Sequence, residues 1–143
     1  MRTRDDEVTA TGGCLCGAVK YVIRGPLRDV IACHCTQCRR ITGHHYAATA
    51  TKRRYFSLIE QAGLRWYASS AFARRGFCAT CGSVLFWDAA AYAHISIAAG
   101  TLDCPTGLKL VQHIFVTEKG DYYELSDGLP QVAGGAHGVA VPD

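Results

Sequence analysis

The sequence predicts a mainly β domain made of several small antiparallel sheets. Three observations carry that prediction. Apolar and aromatic residues recur in stretches of four to six with strand-like alternation, and Gly, Asp or Pro punctuates them. No segment holds a 3.6-residue apolar period over ten residues or more, so no long amphipathic helix is expected. Seven of the eight cysteines fall in three tight groups dispersed along the chain, a spacing that gathers short strands around a few fixed points.

Taken in order, residues 1–11 mix charges of both signs and read as a loose arm. Val19, Tyr21 and Ile23 alternate with Lys20 and Val22 in a strand that Gly25-Pro26 ends. Residues 36–41 suit a brief helical turn. Further strands are expected at 46–51, 64–67, 83–87, 94–98, 113–116 and 122–125, where β-branched and aromatic residues concentrate. Residues 131–143 are rich in Gly and Ala without clear period and are expected to trail over the surface. With no linker, repeat or charge block between, residues 12–130 read as one domain.

The 143 residues suffice for a real core, since a chain of this size buries roughly 70% of its unfolded surface. With 49% hydrophobic and 19% charged residues, disorder is excluded. The net charge of +3 and the acidic Asp5-Asp6-Glu7 argue against nucleic acid. The basic groups Arg39-Arg40, Lys52-Arg53-Arg54 and Arg74-Arg75 read as solvated positions or as local attraction for an anionic ligand. No apolar run approaches the ~20 residues that cross a bilayer, and the start lacks a signal-peptide core. A cytoplasmic, reducing location is expected, where thiols stay available for metal.

The cysteine groups are Cys14-Leu15-Cys16, Cys33-His34-Cys35-Thr36-Gln37-Cys38 and Cys78-Ala79-Thr80-Cys81, with Cys104 alone. Tetrahedral zinc with Zn–S bonds of ~2.3 Å sets sulfurs just under ~4 Å apart. Residues i and i+2 of a strand share a face and can lean onto one ion. A Cys-x-x-Cys pair does the same from a tight turn, helped here by Gly82. Thiolates favour zinc over the oxygen-seeking magnesium and calcium. Disulfides are disfavoured by the reducing context, and burial as small apolar groups suits one cysteine better than three clusters.

The pairs 14/16 and 78/81 sum to four ligands, which is a closed, structural site. Cys33, Cys35 and Cys38 supply three ligands to a second ion and leave a fourth position, the layout of a reactive metal. His34, His44, His45 or Cys104 could complete that second set instead. A three-thiolate zinc carries a formal charge of −1 and can take a further thiolate where cations are near. Arg39 and Arg40, directly after Cys38, are the candidate substrate contacts. His94 and His113 read as hydrogen-bonded or half-exposed strand histidines, and Trp66, Tyr67, Phe72, Phe77, Phe86 and Trp87 as core or pocket wall.

The run Gly13-Cys14-Leu15-Cys16-Gly17-Ala18-Val19-Lys20-Tyr21, followed by Cys33-His34-Cys35-Thr36-Gln37-Cys38-Arg39, resembles the glutathione-dependent formaldehyde-activating enzyme family, which also includes centromere protein V. Ser69-Ser70, residues 75–83, Gly100-Thr101-Leu102-Asp103 and His113-Ile114-Phe115-Val116 agree in order. The resemblance implies an Mss4-like fold of coiled β-sheets. It implies a structural zinc on Cys14, Cys16, Cys78 and Cys81, and a second on Cys33, Cys35 and Cys38 where the namesake takes glutathione. It also implies a carbon–sulfur lyase resembling S-(hydroxymethyl)glutathione synthase, joining glutathione and formaldehyde. His44-His45 and Cys104 fall where no family role carries over. The competing class is a non-catalytic zinc module that binds a protein or a nucleic acid.

Overall fold

The computed structural model describes residues 7–143. Ten strands form two sheets: β1 (Ala10–Gly13), β2 (Lys20–Ile23), β3 (Val30–Cys33), β4 (Tyr46–Lys52), β5 (Phe56–Glu60), β6 (Leu64–Ala68), β7 (Ala73–Cys78), β8 (Val84–Ala89), β9 (His94–Ala98) and β10 (Leu110–Ile114). One helix, α1 (Thr36–Thr42), joins β3 to β4. The small sheet has the order β1-β2-β5, and the large one β10-β3-β4-β9-β8-β7-β6. All pairings are antiparallel except β10 on β3, which run parallel.

Alternation along the central strands divides the large sheet into two faces. Phe86 of β8 and Ile95 and Ile97 of β9 turn to the main core, where Tyr21 and Ile23 of β2 meet them. Tyr21 packs edge-on against Phe86 at 5.6 Å between ring centroids. Its hydroxyl lies 2.7 Å from Thr101 Oγ1. At full burial, aliphatic and aromatic side chains of this kind contribute about 1.5–3 kcal/mol each, so this interface holds the two sheets together. Gly12 is required where the sheets meet: a Cβ there would overlap the Tyr21 hydroxyl and approach Thr101 O to 2.5 Å.

The opposite face carries Tyr46, Ala48, Trp87, His94 and Ser96, and forms the floor of a cavity of about 780 Å³. A smaller apolar cluster of Cys38, Tyr46 and Ala48, with Trp87 and Val84 against it, packs under α1.

The expected mainly β class holds, and the 94–98 strand has the expected bounds. Several elements differ. Ala10 and Thr11 belong to β1, inside the stretch read as an arm, because their backbone pairs with Val22 and Ile23; residues 1–6 of that arm lie outside the described residues. Strands β3, β5 and β7 were not among those expected: β3 is buried throughout most of its length, β5 alternates only over Phe56, Ser57 and Leu58, and β7 carries Arg74 and Arg75. The expected strand at 113–116 runs instead from Leu110 to Ile114, and 122–125 is not a strand, its Tyr122 and Tyr123 rings turning toward His44. The tail does not merely trail. Val132 N–H bonds to His113 O at 2.8 Å, Phe115 N–H bonds to Gly134 O at 2.9 Å, and residues including Ala136, Val139 and Val141 wall the cavity.

Candidate metal centres and their cavity

The first cysteine group is built by two turns that face one another. Cys14 and Cys16 flank the bend after β1, where Gly17 takes φ 85°. Cys78 ends β7 and Cys81 follows in a turn closed by Gly82 N–H to Cys78 O at 2.8 Å. Gly82 has φ 80°, the left-handed region expected there. Sγ of Cys14 and of Cys16 lie 3.7 Å apart, and those of Cys16 and Cys78 3.8 Å apart. That is the edge length of a tetrahedron of thiolates around zinc. Val19 N–H donates to Cys14 Sγ, and the Ser83 hydroxyl lies 3.2 Å from Cys81 Sγ. The Ser83 contact holds the Cys81 thiol well down, to about 5. Among the described residues these four sulfurs form one group whose atoms lie within 4.8 Å of one another.

The second group is local. Cys33 closes β3, Cys35 is the N-cap of α1, and Cys38 lies in its first turn, bringing three sulfurs within 4.8 Å of each other. Cys38 N–H donates to Cys35 Sγ at 3.3 Å, the usual service of a cap. Contacts with Cys33 and then Cys38 hold the Cys35 thiol down to about 2, and the Cys33 thiol is driven up by the same contact with Cys35. Three sulfurs this close cannot all ionise alone, so the set suits a cation that neutralises them together. All eight cysteines are free thiols.

No other His, Cys, Asp or Glu atom among the described residues joins the second group. His34 points away from it. Its Nε2 lies 2.9 Å from His113 Nδ1 and its Nδ1 2.7 Å from the Tyr123 hydroxyl, while His113 Nε2 lies 2.7 Å from Asp127 Oδ2. His44 Nδ1 lies 2.6 Å from the Tyr122 hydroxyl, and His45 packs its ring on His34. Cys104 is exposed and outside both groups. His113 is thus the hydrogen-bonded strand histidine expected, and its partner His34 lies 79 residues away, a pairing that local pattern does not reveal.

Cys33, Cys35 and Cys38 all border the 780 Å³ cavity. Arg39 and Arg40, the expected ligand contacts, do not line it; a helical step of one or two residues past Cys38 carries them around α1 to another side. The lining cations are Arg28, Lys52 and Arg75. Arg75 is the one that touches a thiol. It is 3% exposed, donates from Nε to Gln37 Oε1 at 2.8 Å and from Nη2 to Cys38 Sγ at 3.3 Å. Gln37 is oriented in turn by donating from Nε2 to Ser69 O at 3.0 Å. Sequence grouping left the Arg74-Arg75 pair as solvated or as attraction for an anionic ligand, and strand alternation divides it: Arg74 faces outward to Asp88 and Trp66, Arg75 inward.

A mainly β chain whose turns gather two cysteine groups, one beside a cavity, defines a class of small proteins with thiol sites able to hold metal ions. The chain matches the family described as glutathione-dependent formaldehyde-activating enzyme over residues 9–118, and it belongs to that family. A protein of Schizosaccharomyces pombe named as an uncharacterized lyase is 36% identical over 78 residues, 53% of this chain and 55% of that protein. The chain thus spans about half the length of the curated relative it matches. A crystal structure of a Rhodobacter sphaeroides protein superposes with a TM-score of 0.56 at 21% identity, covering 85% of this chain and 98% of the other, which is a likeness of fold. No helix among the described residues is long and apolar enough to cross a membrane.

Proposed function

We propose that the chain is a zinc enzyme of the carbon–sulfur lyase type, joining glutathione or another small thiol to formaldehyde or a related aldehyde. The observation that carries this reading is the three-sulfur group of Cys33, Cys35 and Cys38, bordering a cavity with no fourth protein ligand among the described residues. Family membership and the relative named as a lyase support the same class. Cys14, Cys16, Cys78 and Cys81 would hold one structural zinc, and Cys33, Cys35 and Cys38 the second. Zinc, when bound there, supplies the charge that keeps a sulfur ionised at neutral pH.

The chain's own residues do the rest. The cavity is roomy for a tripeptide-sized ligand, within the ~300–1,000 Å³ usual for small-molecule sites. Arg28 and Lys52 line its walls and suit the carboxylates of such a thiol. Trp87, Phe72 and Phe115 limit water around the reacting atoms.

The deciding experiment measures zinc content and then adduct formation by NMR with glutathione and formaldehyde, against the uncatalysed rate. Two zinc ions per chain and an acceleration lost in Cys35→Ser are expected. A chain with two zinc ions that neither binds thiol nor accelerates any thiol–aldehyde pair would overturn the reading.

A further inference from the structure

Arg75 poses a question that charge balance alone does not answer. It is a buried guanidinium with no carboxylate partner among the described residues. Its Nε is taken by Gln37 and its Nη2 by Cys38, while its Nη1 is buried and has no hydrogen-bond partner. The Tyr46 ring lies 5.6 Å from the guanidinium carbon, and the Tyr46 hydroxyl is committed to Leu85 O at 3.0 Å. Leaving a buried donor unpaired is costly, and more so when it is charged. The residue lines the cavity beside the three sulfurs, and Gln37 and Ser69 brace it in place. A braced cation with a free donor next to a sulfur group has the form of a ligand contact.

We infer that Arg75 Nη1 is the hydrogen-bond donor for an oxygen carried one or two carbons from the ligand's sulfur. The inference rests on the function proposed above and names the group that handles oxygen in it. The planar fork makes this possible, because one guanidinium can hold a sulfur through Nη2 and an oxygen through Nη1 at once. In the reaction, the thiol has already released its proton to solvent. The sulfur lone pair forms the S–C bond, the C=O π pair moves onto oxygen, and the alkoxide takes a proton from water. Arg75 keeps its own proton throughout and stabilises the charge that develops on oxygen, as preorganised donors do elsewhere.

The test compares two thiol probes of similar size, thioglycolate and ethanethiol, by calorimetric titration of the zinc-loaded protein. Wild type is expected to prefer thioglycolate, the probe with an oxygen anion near its sulfur. Arg75→Met is expected to weaken thioglycolate by about tenfold or more and ethanethiol by less than about threefold, with zinc content unchanged. Arg75→Lys keeps the charge without the fork and is expected to lose most of the preference; it also carries the test if the Met variant does not fold. Arg40→Met, at a cation on α1 that does not line the cavity, is expected to keep the preference, which separates the local contact from general attraction of anions.

Equal weakening of both probes, no change in either, or a full preference retained in Arg75→Lys would overturn the inference. Turnover gives a second reading: a fall in kcat of about 100-fold or more in Arg75→Met, with ethanethiol binding intact, is expected. If the protein turns over no aldehyde, the proposed reaction fails while the two-probe result still decides the role of Arg75.

Discussion

The chain from Asp127 through His113 and His34 to Tyr123 makes stability depend on acid in a way that can be worked out in advance. With both rings neutral, its direction is determined. Asp127 accepts from His113 Nε2–H, His113 Nδ1 accepts from His34 Nε2–H, and His34 Nδ1 accepts from the Tyr123 hydroxyl. His34 is 1% exposed, and burial, then the neighbouring His45 and His113, lower its pKa to about 4 from 6.5. Between those values the unfolded chain holds a proton that the folded one refuses. This contribution to stability is therefore complete above pH 6.5 and is lost as pH falls toward 4. The whole shift amounts to roughly 3 kcal/mol, of which about 1 kcal/mol has gone by pH 5.5. At this chain length that is ~3 °C in Tm. The variant His34→Leu removes the titrating group and strands His113 Nδ1, so it is less stable than wild type at pH 8 by about 1–3 kcal/mol. Urea unfolding at pH 8 and pH 5.5, at equal zinc content, should show that gap narrowing by about 1 kcal/mol on the acid side. A gap that stays constant or widens toward acid would refute the assignment of a neutral, buried His34.

Three other outcomes follow from the same geometry. Cys16→Ser opens the four-sulfur group that ties β1 to β7, and should yield aggregated or unfolded protein, whereas Cys35→Ser should leave far-UV dichroism and Tm near wild type while removing one zinc by metal analysis. Gly12→Ala forces a methyl against Tyr21 and Thr101 O, where backbone cannot yield; a loss of about 2 kcal/mol or more in denaturant titration is expected. Burial raises the Tyr21 hydroxyl to about 12 from 10, so its contribution is complete below pH 10 and lost as pH rises toward 12; Tyr21→Phe should flatten the alkaline limb of the Tm profile.

The cysteine spacing carried the two groups because ligands i and i+2, or i and i+3, are neighbours whatever the rest of the chain does. Gly82 could be placed by the same local logic. The 94–98 strand was legible because alternation and bounds are both local. Strands β3 and β7 were not: β3 is buried on both faces and so loses alternation, and β7 carries two arginines whose partners lie on other strands. The tail likewise gives no periodic signal, yet its backbone bonds to His113 and Phe115 seat it over the cavity.

Local chemistry thus determined from sequence which cysteines form groups able to hold metal, and that the second group offers three sulfurs. Tertiary structure alone decided which groups surround that set. Pairing of β7 with β8, and the twofold alternation of β7, turned Arg75 rather than Arg39 or Arg40 toward Cys38, while contacts across 79 and 89 residues drew His34 away to His113 and Tyr123. The physical reason is range: cysteines two or three residues apart are brought together by chain spacing, but a buried cation or a histidine chain is set by where distant strands come to lie.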